Sequence, residues 1–256
     1  MIFCCARAKI PMGLHKINLV SGRISTIYQS AEWLSHPQFS PTDPALLMYS
    51  IEGPWHEVDR IWTIRSDGRD RKLVHKRTMQ MEIAGHEFWS LDGGSIIFDW
   101  QYPKGVQFRL AVYDVSTANI RFAPLTAQQW SVHYSPSQGP HVFVGDGADA
   151  RQIARSRNSQ NIYLYRFDKA GTPDGLRILN AEALVDMRAH DYTLEPNARI
   201  SPDGRWVLFR SNMFGYPEVF AVETTMTKDP RIPRLSTYQI ATEAKSHYKH
   251  ILLMDK

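Results

Sequence analysis

One phrase recurs four times in this chain, as LSHPQFSPTD, GHEFWSLDGG, SVHYSPSQG and LEPNARISPDGR, and each copy is followed by an apolar strand-like run: LLMYS, SIIFDW, HVFVGDG and WVLFRSN. Repetition at intervals of this size, with hairpin signals between the copies, marks a radially repeated β architecture. Setting Ser40, Ser90, Ser135 and Ser201 in register brings His36, His86, Ser131 and Asn197 to one position, with Gln38, Phe88, His133 and Arg199 two residues later and Glu195 two before Asn197. Residues two apart on a strand share a face. The register therefore predicts one common surface carrying His36, His86, His133, Glu195 and Asn197, and the apolar runs are expected to be the inner strands of the blades.

Between the copies, RIWTIRSDGRDRKLV, RLAVYDVSTANIRFA and NIYLYRFDKAGTPDGLRIL alternate apolar residues with Asp, Gly, Ser and Thr turns, as hairpins do. The opening LHKINLVSGRISTIY looks like the outer half of a blade whose beginning is missing. No stretch keeps a helical period. The expected fold is all-β, a β-propeller of about five blades or blade fragments. Residues 1–13 are expected to be a disordered or altered N-terminus, residues 14–223 a partial propeller, and residues 224–256 a C-terminal tail. A propeller hides its edge strands by closing, so this count predicts the C-terminal part of a longer ring, open on one side.

Composition narrows the function classes. With 256 residues and 43% apolar residues the chain folds around sizeable cores. Its net charge of +4 is scattered rather than gathered into a stripe, which suits a small polyanion better than a nucleic acid. No apolar run approaches a membrane span and no signal peptide is convincing, so a soluble, cytoplasmic protein is expected. Cys4 and Cys5 are adjacent, which predicts free thiols rather than a disulfide framework. In the segment 146–160, Arg151, Arg155 and Arg157 read either as a solvated loop or as a basic rim over an anionic substrate.

Nucleophile elbows, phosphate-cradling glycine loops and paired-cysteine motifs are absent from the sequence. What remains is the histidine set. Imidazoles joined by a carboxylate or amide oxygen form a site for a divalent cation such as Mn²⁺, Ca²⁺ or Zn²⁺. Each residue also has a structural reading, His133 as a packed strand histidine and Glu195 and Asn197 as turn residues around Pro196.

In this order and spacing, LSHPQFSP, EGPWHEVDRIWTIRSDG, GHEFWSLDGGSIIF and VFVGDG resemble the oligogalacturonate lyases over about residues 14–223. The resemblance implies a seven-bladed propeller that cleaves short galacturonides by metal-dependent β-elimination during pectin breakdown, usually with manganese. It implies His36 as the base that removes the C5 proton and His86 as a metal ligand. Glu195 and Asn197 stand where that family carries two histidine ligands, and Tyr192 where it carries a glutamine. Oxygen donors in those places point to Mn²⁺, Ca²⁺ or Mg²⁺. His133, Arg199 and His56 of EGPWHEVDR are expected to contact the oligogalacturonide. The competing class is a non-catalytic propeller of the TolB or WD40-like kind that binds a sugar or a protein, since SPDG turns alone are shared by many propellers.

Overall fold

The structure, a computed structural model, describes residues 11–137, 142–152, 158–168, 177–224 and 252–254. Among the described residues eighteen strands form five antiparallel or mixed sheets taken in chain order. β1 (Met12–Ile17) and β2 (Ile24–Ser30) make a two-stranded sheet. The second sheet is β3 (Trp33–Phe39), β4 (Leu46–Glu52), β5 (Ile61–Arg65) and β6 (Lys72–Leu73), and the third is β7 (Ile83–Trp89), β8 (Ser95–Gln101), β9 (Phe108–Asp114) and β10 (Ile120–Leu125). The fourth is β11 (Tyr134–Pro136), β12 (Val142–Gly145), β13 (Asn161–Asp168) and β14 (Arg177–Asp186). The last is β15 (Arg199–Ile200), β16 (Trp206–Ser211), β17 (Glu218–Glu223) and β18 (Leu252–Met254). Each four-stranded sheet is a meander except the last, where β18 joins β17 in parallel. Among the described residues the single helical turn is the short 3₁₀ stretch Ala127–Gln129.

Alternation along the strands shows why these sheets stack as blades. In β9, Phe108, Leu110 and Val112 face the core shared with the fourth sheet, while Ala111 and Tyr113 face the core shared with the second. β8 divides in the same way, Ile97 going to one core and Ile96 with Phe98 to the other. A sheet with two apolar faces must be covered on both. Four separate cores, one between each consecutive pair of sheets, provide that cover. The largest includes the buried Trp130 and the stacked rings of Phe143 and Tyr165, whose centroids lie 4.8 Å apart. This is the propeller arrangement, with four four-stranded blades and the half-blade β1–β2 anticipated from LHKINLVSGRISTIY.

The strand order corrects one expectation. The apolar runs LLMYS, SIIFDW and WVLFRSN are the second strands of their blades (β4, β8, β16), not the innermost ones. The recurring phrase itself forms the first strand and the turn after it. Its serine closes that turn: Ser90 Oγ accepts from the Ser95 amide at 2.9 Å, and Ser201 Oγ from the Trp206 amide at 2.9 Å. Cys4, Cys5, Arg155 and Arg157 lie outside the described residues. Arg151 pairs with Asp149 and Asp191 at 2.6 and 2.7 Å. No helix among the described residues is long and apolar enough to cross a membrane.

Candidate functional site

The first strands of successive blades meet around a cavity of about 520 Å³, a size suited to a small ligand. His36 and His86 reach it through the same backbone device. The register of β3 on β4 slips between Ser35 and Gln38, and that of β7 on β8 between Gly85 and Phe88. Inside each slip the histidine adopts a left-handed conformation, φ 49° at His36 and 51° at His86. A β-bulge with a left-handed residue adds one residue to the strand and re-aims its side chain. Asn197, the equivalent residue before β15, has φ 50°. Histidine and asparagine are among the non-glycine residues that enter this region most readily.

Of the residues expected at the site, His36, His86, His133, Glu195 and Arg199 line the cavity, with Gln38 and Phe88 beside them. Asn197 and His56 are not on its wall. The Asn197 amide turns back to donate to the Glu195 carbonyl at 3.3 Å, and its backbone N–H donates to Asp146 Oδ2 at 3.2 Å. His56 pairs with Glu57 at 3.4 Å.

Each cavity histidine faces a carboxylate from the second strand of its own blade or from the residue just after that strand. His36 Nε2 lies 3.3 Å from Glu52 Oε1, His86 Nδ1 lies 3.6 Å from Asp99 Oδ2, and His133 Nδ1 lies 2.8 Å from Asp146 Oδ2. Sequence reading did not anticipate these acids. Asp99 and Asp146 were visible in SIIFDW and VFVGDG, but they close apolar runs that read as strand core. Arg60, whose side chain is 2% exposed, bridges Glu52 and Glu87, and Ser50 donates to Glu87.

These contacts set the charges. Burial raises the Glu52 carboxyl, but hydrogen bonds from His36, Arg60 and Ser35 outweigh it and bring the pKa down to about 2. The bond to Glu52 raises His36 above its ordinary value against the opposing effect of burial. Burial pulls His133 down, yet its bond to Asp146, the Asp146 charge and Glu195 together hold it above the ordinary histidine value. His133 Nε2 and Glu195 Oε2 are 4.0 Å apart. Arg199 also lines the cavity and makes no ion pair with another described residue. Trp55 stands over Arg60 at 4.3 Å and meets the His86 ring at 4.9 Å. It can do so because residue 85 is glycine: a Cβ there would fall 2.4 Å from Trp55 Cζ3.

A profile of the oligogalacturonate lyase family matches residues 4–227. The chain belongs to the oligogalacturonate lyase family. It is 29% identical over 213 residues to the oligogalacturonide lyase of Pectobacterium atrosepticum and 28% identical to the oligogalacturonate lyase of Dickeya dadantii. Each match takes in 81% of this chain and 54% of the relative, so the chain spans about half the length of these curated relatives. Among solved structures, an oligogalacturonate lyase in complex with manganese superposes with a TM-score of 0.62 at 25% identity, over 81% of this chain and 52% of that one. The oligogalacturonate lyase of Vibrio parahaemolyticus does so with a TM-score of 0.61 at 23% identity, over 82% and 54%.

The donor set of this chain does not fit a manganese ion. Among the described residues no three His, Cys, Asp or Glu side chains are grouped to hold a metal. Of the three side chains that stand where the resemblance implies ligands, Asn197 lies off the cavity wall with its amide nitrogen donating to the Glu195 carbonyl, and the buried Tyr192, also off the wall, donates its hydroxyl to the Asp146 carbonyl at 3.0 Å.

Proposed function

We propose that the cavity binds a short oligogalacturonide and cleaves it by β-elimination, with His36 as the base. The observation that carries this reading is the His36–Glu52–Arg60 chain. Glu52 occupies Nε2 of His36 and keeps its own charge, leaving Nδ1 as the nitrogen free to take a proton. A carboxylate that orients an imidazole also stabilises the imidazolium formed when the proton arrives.

The C5 hydrogen of a galacturonide is acidified only by its own carboxylate. Enolate-like charge that develops there needs a cation beside it. Arg199, the cavity guanidinium without an ion-pair partner, is assigned to that carboxylate. Its planar fork matches a carboxylate with two parallel hydrogen bonds. Because the donor set does not fit manganese, the cation assigned to this charge is the Arg199 guanidinium. The relatives' names and the anionic class favoured by charge support a uronide substrate, and the equivalent bulges bring His36 and His86 to the same cavity.

The test is elimination from digalacturonate, followed as ultraviolet absorbance of the new C4=C5 double bond, with and without EDTA. Turnover that survives EDTA and falls by about 100-fold or more in His36→Ala supports the reading, which is the usual range for removing a general base. Unchanged turnover in His36→Ala overturns it. A chain that binds digalacturonate without cleaving it is a binding propeller instead.

A further inference from the structure

Elimination requires two proton transfers, and the base accounts for one. The departing O4 oxygen is an alkoxide of poor leaving ability and needs a proton as its bond to C4 breaks. In a galactopyranuronide chair the C5 hydrogen and the C4 oxygen are both axial and lie on opposite faces of the ring. Base and acid must therefore stand on opposite sides of the bound sugar.

The cavity holds a second histidine suited to that task. His36 belongs to β3 and His133 to the residue before β11, and the blade that carries His86 lies between them. His133 is built as a donor. Its Nδ1 is 2.8 Å from Oδ2 of the fully buried Asp146, and its own backbone N–H donates to Oδ1 of the same carboxylate at 2.8 Å. The ring is thereby fixed with Nε2 toward the cavity. The nearest carboxylate to Nε2, Glu195, is 4.0 Å away, beyond hydrogen-bond reach, so this N–H remains available. The ring of His86 packs edge-on at 5.8 Å and limits its rotation.

We propose that His133 is the general acid of the elimination, donating its Nε2 proton to O4 while His36 takes the C5 proton from the opposite face. The C5–H bond breaks and its electrons form the C4=C5 double bond. The C4–O4 bond breaks, and its electron pair receives the proton from His133. His36 ends protonated and His133 neutral, and exchange with solvent restores both. This assignment rests on the uronide lyase reading above.

The test compares digalacturonate with methyl 4-deoxy-4-fluorogalacturonide, whose fluoride departs without a proton. In His133→Gln, cleavage of digalacturonate should fall about 100-fold or more while fluoride release stays within about 3-fold of the parent chain, because only the first leaving group needs an acid. His36→Ala should lose both. His133→Asn repeats the comparison, and the unfolding midpoint of each variant is measured alongside. Parallel loss of both reactions in variants that unfold with the parent overturns the acid role and makes His133 a binding or packing residue. Undiminished cleavage of digalacturonate overturns it as well. If the parent chain eliminates from neither compound, the lyase reading itself falls.

Discussion

Replacing Arg60 by methionine removes one charge from the interior and keeps most of the side chain's volume. The partners left behind are Glu52 and Glu87, whose side chains are 14% and 2% exposed. Breaking a buried pair by removing one member typically costs about 3–5 kcal/mol, because the remaining charge is stranded. The Glu52 shift gives a consistent scale. A fall from 4.5 to about 2 corresponds to roughly 3 kcal/mol of preferential stabilisation of the charged carboxylate, to which Arg60 is one of three hydrogen-bond donors. The penalty should also depend on pH. In the parent chain Glu52 titrates below its unfolded value, so its contribution is complete above about pH 4.5 and is lost only as pH falls toward 2. In Arg60→Met the Glu52 carboxyl loses one of the three donors that hold its pKa down, so it takes up a proton at higher pH than in the parent chain. Acid that neutralises Glu52 relieves its stranded charge, so the deficit shrinks as pH falls below the unfolded value of 4.5. Urea unfolding should show a deficit of about 3–5 kcal/mol at pH 7 that is clearly smaller at about pH 3. A deficit under about 1 kcal/mol, or one equal at both pH values, would refute the stranded-charge argument.

Three further outcomes follow from the same geometry. Glu52→Gln replaces the charged acceptor that raises His36 with a neutral amide, so the His36 ring should titrate at lower pH by NMR, and the acidic limb of kcat/KM should move down with it. No movement of either would separate Glu52 from the base. Gly85→Ala places a methyl 2.4 Å from the Trp55 indole and should cost about 1–3 kcal/mol, with a shift of tryptophan emission as the ring leaves Arg60 and His86; unchanged emission and stability would contradict the packing. Gly147→Ala meets both a positive φ of 67° and a carbonyl 2.3 Å from the new Cβ, so its loss in thermal unfolding should exceed that of Gly85→Ala.

The serine register carried most of the fold, because in two of the blades that serine closes the turn by accepting the amide of the following strand, Ser90 from Ser95 and Ser201 from Trp206. It also placed His36, His86 and Asn197 at one equivalent position, and all three share a left-handed backbone. The two-residue alternation invoked for that set is not what directs them, since bulges interrupt the ladder at His36 and His86. The innermost strand was misread for a related reason. Apolarity marks a strand covered on both faces, and those are the second strands, whereas the strand beside the cavity is polar on its open side. Glu52, Asp99 and Asp146 were illegible as partners because their pairing crosses between strands, and nothing in a strand's own period reports what lies opposite. Asn197 lies off the cavity wall for a local reason: its amide nitrogen donates to a carbonyl two residues away.

The most direct test of the site is a crystal structure of the His36→Ala variant with trigalacturonate. A uronate should occupy the cavity with its carboxylate on Arg199, its C5 hydrogen directed at the space left by the His36 ring, and O4 within about 3.2 Å of His133 Nε2. A sugar bound outside this cavity, or one whose carboxylate is turned away from Arg199 with O4 far from His133, would contradict the account.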